Sequence, residues 1–259
     1  MNILCIDIGN THVHHGVLCD GTTIESGQIP TGDITSPVLG APALAAALRQ
    51  RHVLHGISLC SVVPRITQQL VFLLENTGLP IHCLHHNACP GLAINYPHPS
   101  EIGQDRLANC IGAQVLSGAP AIIIDAGTAV TLDVLTSRGY EGGIIAPGLG
   151  IMARYLHEQT ALLPLLDTND LMVSTGIGKS TLDAMRLGCA VGFAGMIEAL
   201  LKTVLAQIEK WGEGKPSVFA TGGTAGALPI SSAWTKHIRW EPNITLRGLE
   251  EVFRRAHDL

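Results

Sequence analysis

Short apolar runs separated by turn-forming residues set the first expectation for this chain. Residues 2–18 hold two such runs around Gly9-Asn10 and predict a pair of strands, with 22–29 adding a third after Asp20-Gly21. A Gly/Pro/Thr-rich loop over 30–42 leads into a short Ala/Leu-rich helix at 43–51. Residues 56–63 form a continuous β-branched run ending at Pro64, the pattern of a buried, parallel strand. A helix over about 67–76 is stopped by Gly78 and Pro80. Strand, helix and strand in alternation imply an α/β architecture.

Residues 89–104 are rich in Pro, Gly and Asn with little periodicity, and predict an ordered loop. It ends where Asp105-Arg106 opens a helix running to about Leu116, closed by Gly118 and Pro120. The plan then repeats. Residues 121–124 and 131–135 predict strands on either side of Asp125-Ala126-Gly127-Thr128, and 140–146 another before Pro147-Gly148. Ser180-Thr181-Leu182-Asp183 has the form of a capping box, and the helix after it reaches about Trp211. On that helix Gly188, Gly192 and Gly195 share a face, which suits close packing inside the subunit or across a subunit interface. Residues 217–221 predict a strand delivering Gly222-Gly223-Thr224, and a closing helix covers about 246–256. The division falls near Gly118, giving domains over 1–118 and 119–259 with no low-complexity linker between them.

Composition narrows the partners. A chain of 259 residues buries a substantial core without staples. Sixteen Lys plus Arg against twenty-one Asp plus Glu leave a net charge of −5 without charged blocks, so neither a nucleic-acid nor an anionic-membrane footprint is visible. A small molecule is the default partner. Seven cysteines, irregularly spaced and partly inside apolar runs, read as reduced core thiols of a cytoplasmic protein. Asp7 interrupts the first apolar run, which argues against a signal peptide, and the charge-free stretch over 187–197 falls short of the ~20 residues that span a bilayer. The expectation is a soluble protein.

The candidate chemistry begins with the repeated Asp-x-Gly turn. Each copy carries one acid and several backbone N–H groups, suited to holding phosphate together with a cation. Asp7 and Asp125 would serve the cation directly or through water; Gly9, Asn10, Thr11, Gly127 and Thr128 would offer N–H and hydroxyl donors. One such turn is ordinary hairpin punctuation, whereas two, each behind a buried strand, point to a duplicated nucleotide-binding fold with its cleft between the halves. At Asp105-Arg106 the local alternative is a helix cap with a solvated neighbour. If the loop before it lines the cleft, Asp105 would take a proton from a substrate hydroxyl and Arg106 would hold a substrate oxygen or anion. After the last buried strand, Gly222-Gly223-Thr224 would let a flat ring approach the backbone, a candidate for the adenosine end of a nucleotide.

Three lookalikes are set aside. Val173 stands where a Walker A loop needs its first glycine before Gly178-Lys179-Ser180. Gly148-Leu149-Gly150-Ile151-Met152-Ala153 fits a dinucleotide fingerprint, but its strand belongs to a hairpin-rich half. His12, His14, His15, His82, Cys83, His85, His86 and Cys89 match no standard zinc spacing.

Taken in order, these stretches resemble the type III pantothenate kinases of the actin-like superfamily. The likeness rests on Asp7-Ile8-Gly9-Asn10-Thr11, Ser61-Val62-Val63-Pro64, Tyr96 through Arg106, Asp125-Ala126-Gly127-Thr128-Ala129, Gly142-Gly143 with Pro147-Gly148, Thr160-Ala161 with Leu163-Pro164, and Thr221-Gly222-Gly223. The resemblance implies duplicated actin-like, ribonuclease H-like α/β domains and ATP-dependent phosphorylation of pantothenate, the first step towards coenzyme A. It implies Asp105 as general base, with Tyr96, Gly103, Gln104, Arg106 and Thr181 at the pantothenate. It implies Asp7, Ile8, Gly9, Asn10 and Thr11, with His12, Val13 and His14 on the return strand, and Thr128, at the ATP phosphates, and Gly222 and Gly223 at the adenosine. Asp125 would hold a monovalent cation, K+ or NH4+, and Asp7 the Mg2+ that accompanies ATP. A homodimer is implied as well, which strengthens the interface reading of the Gly188, Gly192 and Gly195 face. One position departs from the family pattern: Gln104 stands where Ala is usual in the Gly-x-Asp-Arg motif, and would alter affinity or substrate choice if its side chain entered the pocket. Two other readings stay open at this point, a kinase for another small hydroxy acid or polyol and a non-catalytic nucleotide-dependent regulator.

Overall fold

Two five-stranded sheets in this computed structural model share one strand order, the duplication that the paired Asp-x-Gly turns foretell. The structure describes residues 1–35, 40, 53–167, 176–224 and 237–259. The expected helix at 43–51, part of the loop before it and the start of the Walker-like stretch lie outside the described residues. In the first sheet β1 (Asn2–Ile8), β2 (His12–Cys19), β3 (Thr22–Pro30), β4 (Leu54–Ser61) and β5 (Ile81–Cys83) run in the order β3-β2-β1-β4-β5. In the second, β6 (Ala121–Ala126), β7 (Ala129–Thr136), β8 (Gly139–Pro147), β9 (Ser217–Thr221) and β10 (Ile238–Trp240) run β10-β9-β6-β7-β8. Read outward from the central β1 and β6, the two orders are the same. β1 pairs antiparallel with β2, setting Asp7 opposite His14, and parallel with β4, setting Asp7 beside Cys60.

Five helices complete the described fold: α1 (Pro64–Glu75), α2 (Gln104–Ser117), α3 (Leu149–Glu158), α4 (Thr181–Lys210) and α5 (Ile244–Ala256). α1 starts three residues before its predicted position because Pro64 occupies the first turn, where a missing N–H breaks no helical bond. α3 has no counterpart in the sequence reading, which met those residues only as a rejected fingerprint. Leu149 and Ala153 are buried and Met152 packs against the same core, and that packing outweighs the poor helix propensity of Gly150. The short β5 and β10 were also not anticipated; each adds parallel to its neighbour, β4 or β9.

By internal contacts the chain forms two compact units, Met1–Ala121 with Leu135–Gly142 and Asn243–Leu259, and Ile122–Val134 with Gly143–Pro242. The sequence division into 1–118 and 119–259 puts the closing helix α5 with the second half. In the structure it groups with the first, since α5 lies on α2 at backbone distance. A Cβ on Gly112 of α2 would fall 2.2 Å from the Ile244 carbonyl oxygen, and one on Gly248 of α5 would fall 1.9 Å from that of Ala108. The Thr245 hydroxyl adds a buried 2.7 Å bond to Asn109 Oδ1, so α2 is held along its length. At its other end α5 clamps the β2–β3 turn: the Glu250 carboxylate accepts the Gly21 N–H, Arg247 donates to the Gly21 carbonyl, and Arg254 pairs with Asp20 at 2.8 Å.

Each unit has its own core. Leu4, Ile6, Ile8, Val13, Val17, Ile57, Leu59, Leu70 and Leu74 fill the first. In the second, α4 lays Met185, Cys189, Phe193, Ile197, Leu201, Val204 and Ile208 along one stripe against Ile122, Ile124, Val130 and Leu132. By length and composition α4 would also cross a bilayer, beyond what its longest charge-free run suggests. The buried stripe packs the helix on the second core, and 28% of its most apolar window is buried. Its N-terminus carries the anticipated cap: Ser180 Oγ accepts the Asp183 N–H at 3.1 Å and donates to the Asp183 carboxylate at 2.7 Å.

Candidate active site

The first Asp-x-Gly turn closes on itself, the Gly9 N–H donating to the His12 carbonyl at 3.1 Å. Thr31 ties it down from the side: its hydroxyl donates to the Gly9 carbonyl at 2.8 Å and its N–H to the Thr11 carbonyl at 3.0 Å. Beneath the turn, the Cys60 thiol donates to Asp7 Oδ1 at 3.2 Å. Burial pushes that thiol well above its ordinary range, and the charges of Asp7 and Asp105 push it further, so it stays a protonated donor. Both acids therefore bear on one sulfur, which puts the phosphate-turn acid and the candidate base within a single neighbourhood of the first unit. His14, on the return strand, is held neutral by burial, with an Asn243 hydrogen bond opposing.

The N-terminus of α2 is built without a conventional cap. Gly103 precedes it and offers no side chain; a Cβ there would fall 2.5 Å from Asp105 Oδ1. That oxygen instead accepts the Arg106 N–H at 2.8 Å. Burial raises the Asp105 carboxyl above its usual value, opposed by the Arg106 N–H and guanidinium. A carboxylate made more basic in this way, at a helix start, is suited to receive a proton. Gln104 turns its amide aside: Oε1 accepts the Ser61 N–H at 2.9 Å and Nε2 lies 2.8 Å from His85 Nδ1.

Arg106 is buried, its guanidinium 5.8 Å from the centroid of the Tyr140 ring, and Tyr96 meets the same ring at 6.1 Å. Tyr140, fully buried, is the residue that sequence reasoning missed. It is stitched to the loop by its N–H to the Ala93 carbonyl and its carbonyl to the Asn95 N–H, both at 2.9 Å. Gly142, at φ +97°, makes the room: a Cβ there would lie 3.0 Å from the Tyr96 ring. The local signal was the Gly-Tyr-Glu-Gly-Gly run of 139–143, an aromatic set among glycines.

In the second unit the turn after β6 closes one residue tighter, the Gly127 N–H donating to the Ala129 carbonyl at 3.0 Å, and the Gly148 N–H reaches the Thr128 carbonyl at 3.1 Å. Gly222, at φ +92°, sits against the backbone of Ala126, where a Cβ would come within 2.5 Å of the carbonyl oxygen. Thr224 donates to that oxygen through its N–H at 2.9 Å and its hydroxyl at 2.7 Å. The Gly222-Gly223-Thr224 turn is thereby seated next to Asp125, as far as Thr224; the residues after it lie outside the described ones. Thr181 is the exposed first residue of α4. Thus Tyr96, Gly103, Gln104, Asp105, Arg106 and Asp7 through His14 belong to the first unit, and Asp125, Thr128, Thr181, Gly222 and Gly223 to the second. Among the described residues no three His, Cys, Asp or Glu side chains gather as a metal cage. Single carboxylates at Asp7 and Asp125 fit cations that share their ligands with phosphate, water or backbone oxygen.

Comparison with known proteins bears on the family and the fold. The family model for type III pantothenate kinase matches residues 3–203. A type III pantothenate kinase of Akkermansia muciniphila is 42% identical over 191 residues, 73% of this chain and 74% of its own; one from Methylacidiphilum infernorum is 36% identical over 254 residues, 96% and 87%. Among solved structures, a Baf family protein from Campylobacter jejuni superposes with a TM-score of 0.61 at 17% identity, covering 99% of this chain and 100% of its own. The ROK hexokinase of Thermus thermophilus gives 0.52 at 16%, covering 97% and 98%. At such identities the structural likeness speaks for the fold alone.

Proposed function

This chain belongs to the type III pantothenate kinase family, and from that premise we propose how its residues divide the work of phosphorylating pantothenate. The reaction is ATP-dependent and forms 4'-phosphopantothenate, the first step of coenzyme A biosynthesis; the fold is the actin-like one that sugar kinases share. The observation that carries the assignment is the half-buried start of α2, where desolvation makes Asp105 more basic next to an arginine whose guanidinium lies 5.8 Å from the Tyr140 ring centroid.

In this reading the Asp105 carboxylate accepts the proton of the primary hydroxyl of pantothenate as that oxygen bonds to the γ-phosphorus and the bond to the β–γ bridging oxygen breaks, releasing ADP. Arg106, its guanidinium beside the Tyr140 ring, offers its donor fork to a pantothenate oxygen, with Tyr96, Gly103 and Thr181 as further pantothenate contacts and Gln104 acting beside them through the helix start. Asp7 through Thr11, with His12, Val13 and His14 behind them, and Thr128 hold the ATP phosphates, and the Gly222-Gly223 turn takes the adenosine. Magnesium bound with ATP would neutralise phosphate charge, with Asp7 as the residue that would hold it, and Asp125 would hold K+ or NH4+. The exposed apolar side chains Ile151, Tyr155, Leu162, Leu165, Ile177 and Val191, together with the open Gly188 and Gly195 positions of α4, support a homodimer. The charge balance and the free thiols fit a cytoplasmic protein without nucleic-acid or membrane partners.

The test is ADP release on adding pantothenate to protein with ATP and Mg2+, in K+, in NH4+ and in Na+. Pantothenate-stimulated release, faster in K+ or NH4+ than in Na+, is expected. No stimulation in any of the three would remove the functional reading, and equal rates would remove only the role given to Asp125.

A further inference from the structure

Three consecutive residues at the end of β4 act as a shelf beneath the first phosphate turn. The Cys60 thiol reaches Asp7, the Val62 N–H donates to the carbonyl of Ile8 at 3.1 Å, and the Ser61 N–H between them donates to Gln104. Gln104 is the first residue of α2, a helix with no side-chain cap, and the residue after it is Asp105. The side chain that fastens this helix start to the shelf is thus the immediate neighbour of the base.

The amide is held at both ends, and its orientation is fixed by chemistry. Ser61 can offer only a backbone N–H at that point, so Oε1 must face it and Nε2 must face His85. Nε2 is a donor. The Nδ1 atom of His85, at 2.8 Å, therefore has to be the accepting, unprotonated nitrogen, with the ring proton on Nε2. His85 itself is held in a short turn, its carbonyl accepting the Ala88 N–H at 2.9 Å.

We propose that His85 and Gln104 form a positioning pair for the kinase reaction, in which His85 holds the Gln104 amide so that Ser61 fixes the start of α2 and with it the Asp105 carboxylate relative to Asp7. Neither residue touches the reacting atoms in this role; both act through the backbone of α2. The inference rests on Asp105 being the base. It also assigns Gln104 a use other than reading the substrate: the departure from alanine supplies a tether that a helix starting at a bare glycine otherwise lacks.

The experiment measures kcat and KM for pantothenate and for ATP in Gln104→Ala, His85→Ala, His85→Asn and the double alanine variant, with thermal melts of each. Losing one hydrogen bond of a partly exposed pair predicts about a fivefold drop in kcat/KM for pantothenate in either alanine variant, with the KM for ATP within about twofold. The double variant should be no worse than either single one, because each breaks the same link. His85→Asn, which can present an amide oxygen near the Nδ1 position, should recover most of the loss. Single losses below twofold, losses that multiply in the double variant, or His85→Asn behaving like His85→Ala would each overturn the pair. Nitrogen NMR of the unaltered protein reads the tautomer directly, independent of turnover and of whether any variant folds: a His85 ring protonated on Nδ1 at neutral pH refutes the arrangement. An inactive wild type with the expected tautomer would instead strike the functional reading and leave the hydrogen-bonded pair standing.

Discussion

The ends of β4 and β9 are the same piece of structure put to two uses. Each lies beside the central strand of its sheet, and each sends the next stretch of chain back to the residue after the aspartate: Val62 N–H to the Ile8 carbonyl in one, Thr224 N–H to the Ala126 carbonyl in the other. After that shared bond they diverge. The first turns at once into the helix begun by Pro64, and the Ser61 N–H fastens Gln104 and α2. The second passes through Gly222, at positive φ and without a side chain, close against Ala126, and the Thr224 hydroxyl ties it there. The repeated scaffold offers two phosphate turns, and the character of each unit is set by what its shelf carries, a helix with a base in one and bare backbone in the other.

The sharpest way to break this contrast is Asp105→Asn. If the shelf under the first turn exists to hold a base, kcat should fall about 10³-fold, within the range removed with a general base, while ATP affinity and melting temperature change little. Titration with ATP and a thermal scan check the second half of that statement. Turnover near the wild-type rate would mean that the α2 helix start carries no proton, and that the two shelves differ only in shape.

The second shelf is tested by Gly222→Val. Its side chain would meet the backbone of Ala126 within about 2.5 Å at a φ of +92°, so either the turn lifts or the strand end shifts. A loss of about 2–4 kcal/mol in stability and about a tenfold rise in the KM for ATP are expected, with the KM for pantothenate nearly unchanged. Equal effects on both substrates would show that the shelves are not separable.

How much of this was readable beforehand follows from how local each cause is. Both Asp-x-Gly turns, their flanking strands and the Ser180 cap are written in contiguous residues, and the sequence patterns located them within a few positions. The seat of α5 on the first unit is not local: it depends on Gly112 meeting Ile244 and Gly248 meeting Ala108 across about half the chain, and a glycine in a helix carries no mark of what it will face. Tyr140 was hidden for the same reason, since its partners Tyr96 and Arg106 come from another stretch and only the fold brings them together. Gln104 was visible as a departure, but its side-chain direction was not. The pocket imagined for it is replaced by Ser61 and His85.

The smallest test concerns the strands that return from the two turns. Counted from the closing carbonyls of His12 and Ala129, His15 in β2 occupies the place that Leu132 holds in β7, and both are buried. Burial lowers the His15 pKa to about 4, with the neighbouring His14 adding to the effect and Glu25 opposing it. The unfolded chain binds its proton near the ordinary value of 6.5, so between pH 6.5 and about 4 the unfolded state carries more protons and folding stability is lost as pH is lowered. Above about pH 7 the residue is neutral in both states and contributes no slope. His15→Leu, which copies the second sheet into the first, should therefore melt with a pH 7 to pH 5 difference smaller than wild type by about 2–4 °C. Differential scanning of the two proteins at both pH values decides it, and an unchanged difference would place the acid sensitivity of the first sheet in other groups whose protonated form burial disfavours, His14 and His82 among them. A flattened profile with kinase turnover preserved at pH 7 would mark His15 as a buried polar residue that the first return strand tolerates, where the second return strand has a leucine.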